Sequence, residues 1–201
     1  IQSESGNYHD VRVYYDQYTE PPYSDDRMSD EYGVFTFSGA NWVTLRGLEL
    51  TTADLTFPGV VHVKNVTRHL TIDSCYIHAD KSTSYSNDIN LVYTYAKGEA
   101  NMNNDYLCVT NSLLEGGYIG IRMGGTGIVK LPKERGGRIE NNVLRNQGSK
   151  AIYCMDELGA KIRGNRIENS GETSSSFYGF DGQVRDLCDD AFVIEGNTFN
   201  L

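Results

Sequence analysis

The sequence predicts an all-β fold, a parallel β-helix or solenoid of about six to seven coils, with residues 1–201 forming one domain. Three observations predict it. A short template, aliphatic-x-[Gly/Asn/Ser]-x-x-apolar, recurs six times. A second stretch, alternating with period two, precedes the first five copies. The composition favours strands and corners over helices, with 21 Gly, 14 Tyr and only 4 Pro.

The copies are Leu45–Leu50, Ile72–Ile77, Val109–Leu114, Ile139–Leu144, Ile162–Ile167 and Ile194–Phe199. Their first positions are separated by steps of 27, 37, 30, 23 and 32 residues. The shortest step is the bare unit, and the longer ones carry insertions, the largest over residues 79–104. The preceding strand signals read GVFTFSGA, GVVHVKN, NLVYTYA, GYIGIRMGG and KAIYCMD. Two or three short strands cannot bury an apolar face alone. Stacked copies can, each strand pairing in parallel with its equivalent one coil away at roughly 4.8 Å. A leucine-rich repeat would need Leu-x-x-Leu-x-Leu, which is absent, and a propeller blade is longer than the shortest step. A sandwich would not explain the recurring Asn.

That Asn has a physical role. Asn142, Asn165 and Asn197 occupy one position of the template, with Leu48, Cys75 and Ser112 in the other copies. The residue before it is Gly or Asn in five copies and Ser74 in the sixth, types that tolerate a left-handed corner. The Asn side chains are therefore expected to turn inward and satisfy the backbone of stacked coils. The alternation places Phe35, Phe37, Val61, Val63, Ile119, Ile121, Ile152 and Cys154 in the core on one strand set. The aliphatic positions that open and close each copy fill two further columns. Arg46, Asp73, Thr110, Glu140, Arg163 and Glu195 form an outward column whose mostly opposite or neutral neighbours fix coil register.

The net charge of −9 repels phosphate backbones and argues against nucleic acid as partner, and less strongly against a polyanionic polysaccharide. No run is long and apolar enough to span a membrane, so no membrane insertion is expected. Cys75, Cys108, Cys154 and Cys188 form no C-x-x-C pair and are read as free, small residues, mostly buried. The chain opens on IQSESGN and closes on IEGNTFNL within a copy, which suggests both ends are truncated and that neighbouring domains of a longer chain follow.

The stretches IQSESGN, GVFTFSGANWVTLRGLEL and RHLTIDSCYI resemble the right-handed β-helix repeats of large secreted and cell-surface bacterial proteins, a group related in fold to pectate lyases. The resemblance covers nearly the whole chain. It implies a right-handed β-helix and an extracellular or cell-surface location, but no single activity, because the group includes lyases, hydrolases and adhesin stalks.

The pectin hydrolases of that group share an Asp-Asp pair, a Gly-His-Gly and an Arg-x-Lys. Here Asp189 and Asp190 supply the pair, Gly-His-Gly is absent, and Lys161 to Arg163 runs in the reverse order. A lyase needs a base, and often calcium held by several carboxylates. No cluster of three acidic residues falls at matching coil positions, so no cofactor is assigned. One outward strand face carries His62 and Lys64, then Gly120 and Arg122, then Tyr153, with Asp156 and Glu157 following. Lys64, Arg122, His62 and Asp156 are the candidates for catalysis. Tyr153, Tyr93, Tyr95 and Tyr118 are the candidates for contact with a sugar. His9, His69 and His78 are read as inert surface residues, and Gly124–Lys130 as a tight bend, not a phosphate loop. The expected function is a structural, adhesive or carbohydrate-contacting module, with a polysaccharide or cell-surface glycan as partner. The alternative is a polysaccharide-active enzyme, lyase before hydrolase.

Overall fold

The computed structural model describes residues 1–15, 33–52, 59–83, 89–95, 103–124, 133–170, 176–183 and 192–201. Among the described residues, after a single 3-10 turn at Tyr8–Asp10, all regular structure is strand. The strands come in successive rungs. The first rung holds β1 (Arg12–Tyr15), β2 (Phe35–Ser38) and β3 (Thr44–Arg46). The second holds β4 (Glu49–Thr52), β5 (Gly59–Lys64) and β6 (Thr71–Asp73), and the third β7 (Tyr76–Lys81), β8 (Asn90–Tyr95) and β9 (Cys108–Thr110). The fourth holds β10 (Leu113–Gly117), β11 (Ile119–Gly124), the short β12 (Glu134–Arg135) and β13 (Arg138–Glu140). The fifth holds β14 (Val143–Arg145), β15 (Lys150–Met155), the short β16 (Glu157–Leu158) and β17 (Lys161–Arg163). The last strands are β18 (Arg166–Glu168), β19 (Tyr178–Gln183), β20 (Val193–Glu195) and β21 (Thr198–Asn200).

Equivalent strands pair rung to rung into three long sheets, with β12 and β16 forming a separate two-stranded one. The first is β1-β4-β7-β10-β14-β18-β21, the second β2-β5-β8-β11-β15-β19, and the third β3-β6-β9-β13-β17-β20. Every pairing between named strands is parallel, and the chain visits the sheets in the same order in each rung. This all-β arrangement of stacked parallel sheets is compatible with a parallel β-helix. β8 is the third-rung strand of the second sheet, so the 79–104 insertion contains a rung strand within it.

The register matches the expected columns. Leu45, Ile72, Val109, Ile139, Ile162 and Ile194 are successive partners in the third sheet. Leu50, Ile77, Leu114, Leu144, Ile167 and Phe199 are successive partners in the first. Most of these aliphatic side chains are fully buried, each such burial being worth about 1.5–3 kcal/mol. Ile194 and Phe199 carry the columns into the last rung and are about half exposed there. The second sheet departs from plain alternation. Val60 and Val61, Leu91 and Val92, and Ala151 and Ile152 are buried as adjacent pairs. A Cβ at Gly120 would meet Leu144 and Gln147, so Gly120 faces the interior, not the outward face expected for it. Ile119 is buried but stands in register with Asn90 and Lys150.

The corner between the third sheet and the first is built as expected. Gly47, Ser74, Asn111, Asn141, Gly164 and Gly196 all adopt φ between 51° and 64°. Each following side chain turns inward. The Asn142 amide N–H donates to Asn165 Oδ1 at 3.0 Å, and the Asn165 N–H donates to Asn197 Oδ1 at 2.9 Å. The side-chain amides donate to Val109, Ile139 and Ile162 carbonyls at 2.8 Å. Ser112 and Cys75 extend the ladder, since the Cys75 N–H donates to Ser112 Oγ and the Ser112 N–H to Asn142 Oδ1. Cys75, Cys108 and Cys154 are free thiols, Cys108 only half-buried, and Cys188 lies outside the described residues. On the outer face, the charged column is joined by Arg46–Asp73 at 2.9 Å and Arg163–Glu195 at 2.8 Å, whereas Glu140 pairs with Arg138 on its own strand and not with its register partner Arg163.

Candidate functional site

The second sheet carries the expected face, with one rung more than the spacing of its charged residues suggests. His62, Tyr93, Arg122, Tyr153 and Asp181 are successive register partners on β5, β8, β11, β15 and β19. Parallel in-register pairing therefore stacks their side chains. The His62 and Tyr93 rings lie 5.2 Å apart and 10° from parallel. The Arg122 guanidinium sits over both neighbouring rings, 5.2 Å from the centre of Tyr93 and 5.6 Å from that of Tyr153. Lys150 Nζ lies 4.0 Å from the Tyr153 ring centre, 5.8 Å from that of Tyr178, and 2.8 Å from Asp181 Oδ2. The result is a ladder of alternating rings and cations, each contact worth about 0.5–1 kcal/mol when exposed and more when desolvated.

The ladder is graded in exposure. His62 is 2 % and Tyr93 5 % exposed, whereas Arg122, Tyr153 and Lys150 are half-buried and Tyr178 is exposed. The Arg122–Tyr178 end is therefore the part open to solvent. The expected candidates divide accordingly. Arg122, Tyr153 and Tyr93 come together. His62 holds the expected column, at the buried end of it. Lys64 is register partner of Tyr95, two residues along and two rungs from Arg122. The side chain of Tyr95 lies outside the described residues, as do Asp189 and Asp190. Tyr118 precedes β11 and is not a ladder member. Asp156 is not on this face at all. It is buried at a corner, with Oδ1 3.0 Å from the buried Lys133 Nζ.

That corner leads from the second sheet into the third, and it holds a second polar ladder of mixed residue types. The Ala40 N–H donates to Thr67 Oγ1, and the Thr67 N–H to Asn104 Oδ1. The Asn104 backbone and side-chain amides both donate to Glu134 Oε1, and the Thr94 hydroxyl donates to Glu134 Oε2 at 2.8 Å. Glu157, register partner of Glu134, accepts from the Gly137 N–H at 2.9 Å. Burial pushes the Glu134 carboxyl up to about 7, against the pull of the Thr94 and Asn104 hydrogen bonds. Burial, reinforced by the Glu134 charge, raises Glu157 well above the usual carboxylate range.

Two residues further along, the same corner carries a feature the sequence reading passed over. Trp42, His69, Tyr106, Gly136 and Gly159 all adopt left-handed backbone, with φ of 60°, 56°, 61°, 71° and 64°. The first four are equivalent by hydrogen bonding, each N–H donating to the carbonyl just before its counterpart on the next rung. Their rings stack: Trp42 on His69 at 3.8 Å and His69 on Tyr106 at 4.6 Å, both within 5° of parallel. A Cβ at Gly136 would sit 2.5 Å from the Tyr106 ring, so glycine makes room for the end of the stack. Left-handed backbone costs a bulky residue roughly 1–2 kcal/mol. The signal was present in the sequence, since each of these residues lies three positions before the aliphatic residue that opens its copy.

On the first sheet, His78 Nε2 lies 3.0 Å from Glu49 Oε1 and its Nδ1 3.1 Å from Thr51 Oγ1. The Tyr76 hydroxyl donates to Glu115 Oε2, which also accepts from Arg145. Burial and the bond to Glu115 raise the Tyr76 phenol to about 12. His78 and His9 are thus part of a cross-strand network that ties the outer face of this sheet together.

Comparison with models of known families, with curated proteins and with solved structures gives no match. Among the described residues, no group of three or more His, Cys, Asp or Glu is placed to hold a metal ion, and no helix is long and apolar enough to cross a membrane.

Proposed function

We propose that the chain is a segment of a right-handed, pectate-lyase-like β-helix from a secreted or cell-surface bacterial protein. In this reading it acts as an adhesive or structural module that contacts a polysaccharide or cell-surface glycan. The observation that carries the proposal is the ladder on the second sheet, where Arg122 lies between Tyr93 and Tyr153 and Lys150 between Tyr153 and Tyr178. Rings fixed by stacking offer flat contact area at little entropic cost, and the cations beside them donate hydrogen bonds to sugar oxygens. Repetition along the rungs suits a ligand that itself repeats.

The same contacts favour binding over proton abstraction. A base must be free to lose its own proton and reach a substrate carbon. Arg122 is held between two rings, and Lys150 is paired with Asp181. The test is a glycan array run beside an assay for unsaturated sugar ends by ultraviolet absorbance. The expected result is retention on a subset of glycans without new unsaturated ends. Release of such ends, lost in Arg122→Ala, would replace this reading with the lyase.

A further inference from the structure

We propose that the Trp42–His69–Tyr106 stack is a second binding site, separate from the ladder on the second sheet, and that it takes the face of a neutral hexose ring on Trp42. The first reason is conformational. The same position in the next two rungs is Gly136 and Gly159, so the corner needs only glycine. Three bulky rings in left-handed backbone work against the fold, and such residues persist where a ligand contact requires them.

The second reason is exposure. Trp42 is the only Trp in the chain, and it is 77 % exposed although one ring face rests on His69 at 3.8 Å. Its other face is open. Apolar burial does not explain an indole held so far out of the core, whereas a sugar stacking on it through C–H groups does.

The third reason is the rim. Asn41 directly precedes Trp42, and its bridge partner Arg68 directly precedes His69, so an amide and a guanidinium stand beside the Trp42 end of the stack for sugar hydroxyls. Arg68 is paired with Asp105 at 3.4 Å, which largely cancels its charge. A nucleobase would stack equally well, but its phosphates meet a chain of net charge −9. That leaves a neutral sugar as the ligand whose chemistry fits both ring and rim.

The single Trp makes the test direct. Neutral gluco-, manno- and galacto-hexasaccharides are titrated into the whole chain while Trp emission is followed. At least one is expected to give a saturable shift, and by calorimetry Trp42→Gly is expected to lose at least about tenfold in affinity for it. The thermal midpoint of Trp42→Gly should equal or exceed that of the wild type, because glycine adopts this backbone freely. Arg122→Ala should keep the Trp signal, which separates this site from the one on the second sheet. No saturable shift with any hexasaccharide, unchanged affinity in Trp42→Gly, or a lowered midpoint in that variant would each overturn the proposal.

Discussion

Glu134 and Glu157 are register partners on β12 and β16, and both carboxyls are buried beside each other in the corner between the second and third sheets. Thr94 and Asn104 donate three hydrogen bonds to Glu134, whereas Glu157 Oε1 accepts one from Gly137 and its Oε2 has no partner among the described residues. Two carboxylates so placed titrate as a unit, and burial with mutual repulsion keeps a proton on the pair well above the usual range.

Stability should therefore depend on pH through this pair. The folded state holds protons that the unfolded chain releases, so the contribution of Glu134 is fully present below about 4.5 and is lost as pH rises towards about 7, with that of Glu157 falling in the same direction. The loss is on the order of 3 kcal/mol. Urea unfolding at a series of pH values should show this fall, and Glu134→Gln should flatten it. A wild-type profile rising through that interval, with the variant parallel to it, would contradict the assignment.

Asn165 carries more of the Asn ladder than Asn197 does. It accepts from the Asn142 backbone and side-chain amides, and it donates to the Ile139 carbonyl and to Asn197. Asn165→Ala should cost about 2–3 kcal/mol, because buried donors and an acceptor lose their partners together. Asn197 is half-buried on the last rung, and Asn197→Ala should cost under about 1 kcal/mol. Equal losses in chemical denaturation would show that the ladder does not work by burial.

Gly116 marks a register shift between β7 and β10, where Ala79 and Lys81 face Gly116 and Gly117 in succession. A Cβ there would lie 1.9 Å from the Ala79 carbonyl oxygen, at φ 76°. Gly6 has nearly the same φ, 73°, with nothing within 4 Å. Gly6→Ala should thus cost only the backbone term, roughly 1 kcal/mol. Gly116→Ala must also push the two strands apart and should cost at least about twice that. Thermal midpoints of the two variants measure the difference.

What was legible in the sequence follows from how the repeat uses residue types. The core columns and the Asn ladder could be read because the same chemistry recurs at the same place: aliphatic, then left-handed corner, then Asn. The other corner has the same logic in different residues, Thr67, Asn104, Glu134 and Glu157, so no repeated letter announced it. Asp156 and Glu157 accordingly read as a surface pair beside Tyr153, although both are buried. The column through His62 and Arg122 is legible, but Tyr93 reads as part of the 79–104 insertion and not as a member of the column. Exposure was the least legible property, because His62 and Arg122 share one face, yet His62 is buried and Arg122 only half-buried.

The most direct test of the account is binding at the ladder itself. Calorimetry of the glycan best retained by the wild type should be repeated with Arg122→Ala and Tyr153→Ala, with thermal midpoints recorded alongside. Both side chains are half-buried on the outer face, so folding should be little affected. Affinity should fall about tenfold in each variant, matching the loss of one stacking or cation contact. Unchanged affinity in two well-folded variants would show that the glycan does not meet the protein at this ladder.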